Sequence, residues 1–258
     1  MSPSEHQDNN QCSSWWRSFF DSPDCLVLGQ FPDATTSRWE AGKIADLVGL
    51  QPGMVVADAP CGSGRHLPTW VARGCFVVGL DASPMMLELA RRVVAGLKGR
   101  ALLVQGLMQA LPFAGETFDV MLNLFNSFGY LATDEENARV LTEAARCLRR
   151  GGRLLIDTRN PPMEILFAPY RDEVKLPGGR RLQASASYSR ETKRLSVCWR
   201  DLKEDRLVHW VSIRLYNVGE LSAMLEAARL EVEAVFGSLE GEKFSSAHSK
   251  MIVLARRP

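Results

Sequence analysis

Between Met54 and Arg159 short apolar runs alternate with amphipathic stretches of helical length, and this rhythm restricts the fold more than any other feature. "GMVVADA", "CFVVGLD", "RALLVQG", "TFDVMLNLF" and "RLLIDTRN" are strand-like. "RHLPTWVARG", "SPMMLELARRVVAGL" and "TDEENARVLTEAARCLRRGG" carry helical spacing between them. Near-continuous apolar strands are buried on both faces, and crossovers of this length join parallel neighbours. The expectation is a doubly wound α/β sheet with helices on both faces. Its ligand site should lie beyond the C-terminal ends of the strands.

Local signals place the helix ends. Thr133 and Glu136 form a capping-box pattern, and the arginines of "RCLRR" are read as the last turn of that helix. Ser83 precedes Pro84, the favoured order of N-cap and first helical residue. Ser37 and Glu40 suggest a second capping box opening a helix over 37–49. "WWRSFFDS" reads as a short aromatic helix behind a polar, disordered tail over residues 1–13. After residue 160 the rhythm changes. "RLQASASYSR", "RLSVCWRDL" and "RLVHWVSIRLY", separated by short polar turns, read as an antiparallel meander. A helix in "NVGELSAMLEAARL" and strands in "EVEAVFGS" and "KMIVLARR" complete a seven-stranded sheet. The expected division is 1–48 for the tail and first helices, 49–160 with 217–258 for the α/β core, and 161–216 for the insertion.

Lys+Arg number 31 and Asp+Glu 30, a formal charge of +1, which supplies no bulk field to draw nucleic acid or an acidic membrane. No stretch approaches the roughly 20 apolar residues of a spanning helix, and the N-terminus lacks an apolar signal core. Six cysteines, at 12, 25, 61, 75, 147 and 198, form no Cys-x-x-Cys pair, so no metal site is expected. Buried reduced thiols and a cytoplasmic setting are the expectation.

Chemistry concentrates in "VVADAPCGSGRH". Gly62 and Gly64 permit close backbone approach by a ligand. A dinucleotide fingerprint would continue to a third glycine, where this chain has Leu67, and no phosphate-loop lysine follows. That counts against a nicotinamide-dependent oxidoreductase. Asp81 ends the second strand, 23 residues after Asp58, where a carboxylate can accept both hydroxyls of a ribose.

Taken in order, "DAPCGSGRH", "GLDASPMMLELAR", "LPFAGETFDVML", "LNLFNSFGYL" and "LRRGGRLLID" resemble the class I S-adenosylmethionine-dependent methyltransferases. The resemblance spans about residues 35–258. It is greatest to the bacterial small-molecule branch with an antiparallel insertion after strand five. It implies a Rossmann-like core, S-adenosylmethionine as cofactor and S-adenosylhomocysteine as product. It also implies a small-molecule acceptor methylated at oxygen or nitrogen, without nucleic acid or membrane, by a monomer or homodimer. A cofactor-sensing module without turnover is the second reading. Carried over by position, Asp58, Ala59, Pro60, Gly62 and Gly64 would hold the methionine portion, and Asp81 the ribose. Ala82, Met86, Leu107 and Met108 would surround the adenine. Asn123, Leu124 and Phe125 would line the site near the methyl group. Trp16 and Arg38 would belong to a helical lid over the cofactor, and the insertion would cover the acceptor. Relatives often carry an Asp where this chain has Leu107, and a more permissive residue at Pro60.

Asn126, Arg159, Arg214, Tyr216 and His66 are the candidates for the acceptor side. Strand alternation in "HWVSIRLYN" places Arg214 and Tyr216 on one face. His209 falls on the opposite face, and His248, in "SSAHSK", is expected to be exposed.

Overall fold

The computed structural model describes residues 14–97 and 99–258, so the polar tail and Cys12 lie outside the described residues. The core is one seven-stranded sheet. Its strands, in chain order, are β1 (Val55–Asp58), β2 (Phe76–Asp81), β3 (Ala101–Gln105), β4 (Phe118–Asn123), β5 (Leu148–Arg159), β10 (Glu231–Phe236) and β11 (Lys250–Arg256). Across the sheet they run β10-β11-β5-β4-β1-β2-β3. β1 pairs in parallel with both β2 and β4, whereas β11 runs antiparallel between β5 and β10. Chain order reverses at β1, with β2 on one side and β4 on the other, which opens a crevice at the ends of these strands.

Residue alternation explains how both faces are covered. Met121, Leu154, Ile156, Met251 and Val253 pack under α6 (Asp134–Cys147) and α8 (Val218–Ala227), through Val140, Leu141, Leu221 and Leu225. Their chain neighbours Val120, Leu122, Leu155, Ile252 and Leu254 face α3 (Ala34–Val48) and α4 (Leu67–Ala72), meeting Ile44, Val48, Leu67 and Trp70. α5 (Pro84–Val94) follows β2, with Ser83 Oγ accepting from Met86 N at 3.0 Å. The Thr133–Glu136 capping box forms as expected, and Asn217 with Glu220 builds a second one on α8.

A third apolar cluster lies off the sheet. α1 (Trp15–Phe20) and α2 (Cys25–Leu28) pack on a four-stranded antiparallel sheet formed by β6 (Tyr170–Lys175), β7 (Arg181–Ser189), β8 (Arg194–Asp201) and β9 (Leu207–Arg214). Asp24, the N-cap of α2, ties the two together through His209 Nε2 at 2.9 Å and Arg180 at 3.2 Å.

Several details differ from the sequence expectation. α3 begins at Ala34, because Asp33 Oδ1 accepts from Thr36 N at 2.7 Å and starts the helix one turn early. Ser37 and Glu40 are therefore interior and buried. α6 ends at Cys147, and Leu148 turns extended, so Arg149 and Arg150 belong to β5; Arg149 pairs with Asp119 across to β4 at 2.7 Å. The insertion also contains α7 (Pro161–Phe167) and the edge strand β6. "YRDEVK" has no apolar alternation, and charged residues on an outer strand block further pairing. His248 is half-buried, its Nδ1 accepting from Ser245 N at 3.1 Å.

Candidate active site

The site begins where β1 ends. Asp58 is 2% exposed, and its Oδ1 is buried without a hydrogen-bond partner. Burial pushes its carboxyl well above the ordinary range; Arg65 opposes that shift and Asp81 adds to it. The chain then turns through Gly62, at φ +54°, with nothing within 4 Å of where a Cβ would stand. Gly62 N donates to Asp81 Oδ2 at 2.8 Å and Ser83 N to Oδ1 at 2.9 Å. Asp81 therefore braces the loop while keeping lone pairs available. Burial raises its carboxyl as well. Gly64 serves packing: a Cβ there would meet Ala90 Cβ at 3.1 Å and Leu67 Cδ1 at 3.2 Å.

These groups border a cleft of about 880 Å³. Asp58, Pro60, Gly62, Ser63 and Asp81 supply its polar end, and Ala82, Met86, Gly106, Leu107, Met108 and Gln109 form an apolar slot beside it. Trp16, Leu124 and Phe125 also line it. α3 closes the cleft through two buried polar residues. Glu40 binds the Arg65 guanidinium, which also donates to Ser37 Oγ at 3.1 Å, and His66 Nε2 lies 3.3 Å from the same carboxylate. Burial opposes ionisation of Glu40, but its bonds to His66 and Arg65 prevail and hold it down at about 2. Burial also lowers His66, which favours its neutral form. Arg65 further sits over the Phe125 ring at 5.0 Å.

A second cavity, about 1060 Å³, adjoins the first. The two share Phe20, Phe31, Phe125 and Tyr130. α1 and α2 form one side of the second, and Leu195, Val197, Trp199, Val211 and Ile213 of β8 and β9 form another. Asn126 and Arg159 lie on its wall, beside Gln30, Glu164 and Tyr170. Phe125 and Asn126 adopt φ +55° and +63°, left-handed backbone at the end of β4 that is held by Asn126 N donating to Asp157 O at 2.9 Å. Burial raises the Tyr130 phenol to about 12, so it stays protonated.

Five expected residues lie outside both cavities, besides Gly64. Ala59 accepts from Asn123 Nδ2 at 2.9 Å, so this pair ties β1 to β4 beneath the loop. Arg38 is exposed on α3; the arginine in the cleft is Arg65. Arg214 and Tyr216 turn away to Asp134, at 3.2 and 2.6 Å, and Arg214 also reaches Glu220 at 3.0 Å. They anchor the start of α6, and the acceptor-side role expected of them is withdrawn. Sequence reading also missed Glu40, Arg65, Tyr130, Gln30 and Glu164. The Arg-His pair after Gly64 was the visible hint of Arg65, and "FGYL" that of Tyr130; Glu40 gave none beyond a false cap.

A family profile described as "Methyltransferase domain" matches residues 56–152. A dTDP-3-amino-3,4,6-trideoxy-alpha-D-glucopyranose N,N-dimethyltransferase of Streptomyces venezuelae is 28% identical over 229 residues, covering 86% of this chain and 93% of that protein. The solved structure of Streptomyces venezuelae DesVI is 26% identical, with a TM-score of 0.63, covering 91% of this chain and 96% of that one. The CcbJ methyltransferase of Streptomyces caelestis matches in fold, with a TM-score of 0.76 at 20% identity over 93% and 98% of the two chains. The matched profile, these relatives and the fold support a class I S-adenosylmethionine-dependent methyltransferase. It methylates a small molecule, and S-adenosylmethionine is its cofactor. The cleft of this methyltransferase fits that cofactor: the unpartnered Asp58 oxygen lies where an ammonium can satisfy it, and an apolar slot follows Asp81. Among the described residues no helix is long and apolar enough to cross a membrane.

Proposed function

We propose that this enzyme methylates a nitrogen of a neutral amine by in-line displacement. The observation that carries the reading is the junction of the two cavities. Phe20, Phe31, Phe125 and Tyr130, common to both, supply no carboxylate and no imidazole. A hydroxyl needs a base to ionise it first, whereas the lone pair of a neutral amine attacks directly. The N,N-dimethyltransferase relative supports the choice of nitrogen.

Bound S-adenosylmethionine supplies a methyl group on a positively charged sulfur. Asp58 holds the ammonium end and Arg65 the carboxylate. Asp81 accepts the ribose hydroxyls, and Ala82, Met86, Leu107 and Met108 enclose the adenine. Phe125 and Tyr130 exclude water at the junction, and the Tyr130 hydroxyl orients the amine. Asn126 and Arg159 hold the remainder of the acceptor. Alignment of this kind supplies up to about 7–11 kcal/mol of barrier reduction. The product ammonium loses its proton to solvent.

The test is mass spectrometry of paired amine and alcohol acceptors of one shape. Methylation at nitrogen, with a rate rising through the amine's own pKa, supports the reading; faster methylation of the alcohol overturns it. We place the reaction in a reducing cytoplasm, in a monomer or homodimer acting without nucleic acid. The free thiols of Cys25, Cys61, Cys75, Cys147 and Cys198 support that setting.

A further inference from the structure

The second cavity carries information about the acceptor that the cofactor does not explain. Most of its wall is aromatic rings and branched aliphatic side chains, with Gln30, Asn126, Arg159 and Glu164 as its polar part. Phe19 stacks on Trp199 with ring centres 5.6 Å apart, and Trp15 meets Tyr130 edge-on at 4.8 Å. Two buried N–H donors on the walls, Trp15 Nε1 and Arg159 Nε, have no partner in the protein. The charged lining residues, Arg159 and Glu164, pair with each other at 2.8 Å, so the wall offers little net charge.

From this lining we infer that the acceptor is a flat, apolar aromatic amine bearing a hydrogen-bond acceptor, such as a ring nitrogen or carbonyl, on its edge. The inference rests on the second cavity being the acceptor site of the methyltransferase. Aromatic and branched side chains contributed by several elements suit an apolar ring, and offset or edge-on contact adds to area burial. An acceptor atom on the ring edge satisfies a donor that is otherwise buried unpaired, a state that opposes binding of a purely hydrocarbon ring. A nucleoside-diphosphate sugar fits poorly. Its phosphates bring at least two negative charges to a wall whose arginine is already neutralised, and uncompensated buried charge is costly.

Calorimetry on the full-length protein tests this in two stages. S-adenosylhomocysteine is titrated first; absence of heat overturns the cofactor reading and this inference together. The protein saturated with it is then titrated with 6-aminoquinoline, 2-aminonaphthalene and dTDP-glucose. The expected result is that aminoquinoline binds at least about tenfold more tightly than either of the others. Aminonaphthalene, which lacks the ring nitrogen, tests the edge acceptor. Val197→Trp on β8 fills the cavity and should weaken aminoquinoline about tenfold while leaving S-adenosylhomocysteine within about twofold. Ile213→Phe on β9, a smaller filling, is run alongside to guard against misfolding. S-adenosylhomocysteine heat with no aminoquinoline binding, preference for the nucleotide sugar, or binding unchanged in the filled variants that still bind S-adenosylhomocysteine overturns the inference and leaves the methyltransferase standing.

Discussion

Asp58 holds a buried carboxylate in a position that costs the empty protein stability. Burial raises its carboxyl above the ordinary 3.8, so the folded state holds its proton more tightly than the unfolded chain. Stability therefore falls as pH rises above that value, and the penalty remains at neutral pH, where the unfolded chain's carboxyl is ionised. A ligand ammonium relieves it. Asp58→Asn keeps the shape and removes the charge. The ligand-free protein should unfold at a higher temperature, while S-adenosylhomocysteine affinity falls at least about 30-fold, the lower end of losing one partner of a buried charge pair. Thermal unfolding and calorimetry read the two effects separately. If the variant is less stable and binds normally, Asp58 is only a structural group. Sequence reading located Asp58 and Asp81 because both end apolar strands beside glycines, a local signal. Arg65 and Tyr130 escaped it because their roles depend on partners far along the chain, Glu40 for one and Trp15 for the other.

Two elements illustrate how such distant partners decide a role. α3 is a core helix whose apolar face was legible from spacing, yet its buried polar pair was misread as a cap. Glu40 is held at about 2, against an ordinary 4.5, so its stabilising contribution is complete above the unfolded value and disappears as pH falls through the folded one. Glu40→Gln should cost about 3 kcal/mol at pH 7, because Arg65 is left without its buried partner. In urea titrations, the gap from wild type should narrow below pH 4.5 and close towards pH 2. A gap independent of pH would mean that shape, not charge, is what Glu40 supplies. His66 adds a slope of the same sign, beginning at higher pH. Burial lowers its folded value below the ordinary 6.5, so acidification from there favours the unfolded chain. At the start of α6, alternation along β9 correctly grouped Arg214 with Tyr216, but a period of two cannot say what the shared face meets. It meets Asp134. Tyr216→Phe should lower stability by about 1 kcal/mol and leave kcat unchanged. A selective fall in kcat would restore the catalytic assignment.

On the scale of the whole molecule, the strand–helix rhythm made the sheet legible because every strand and crossover declares itself locally. The second cavity was not, since it is assembled from α1, α2, β8 and β9, elements far apart in the chain. β6 was missed for a related reason, as its pairing with β7 is made by backbone and leaves no pattern in its side chains. This assembly has a thermodynamic consequence. Phe20 and Phe31, from α1 and the segment after α2, border both cavities, so a ligand that fills the first also bears on one side of the second. Binding should therefore slow local opening of residues 15–31 as well as of the loop over 58–66. At a hundredfold excess over Kd, S-adenosylhomocysteine should stabilise the fold by about 2.7 kcal/mol, setting the ceiling for the added protection. Hydrogen exchange on the full chain, with and without S-adenosylhomocysteine, measures it segment by segment. Phe20→Ala should weaken S-adenosylhomocysteine and reduce protection in 15–31. Trp199→Ala, which borders only the second cavity, should leave S-adenosylhomocysteine binding intact. Protection confined to the core would show that the aromatic helices do not respond to the cofactor, and that the acceptor side of the molecule is set before either ligand arrives.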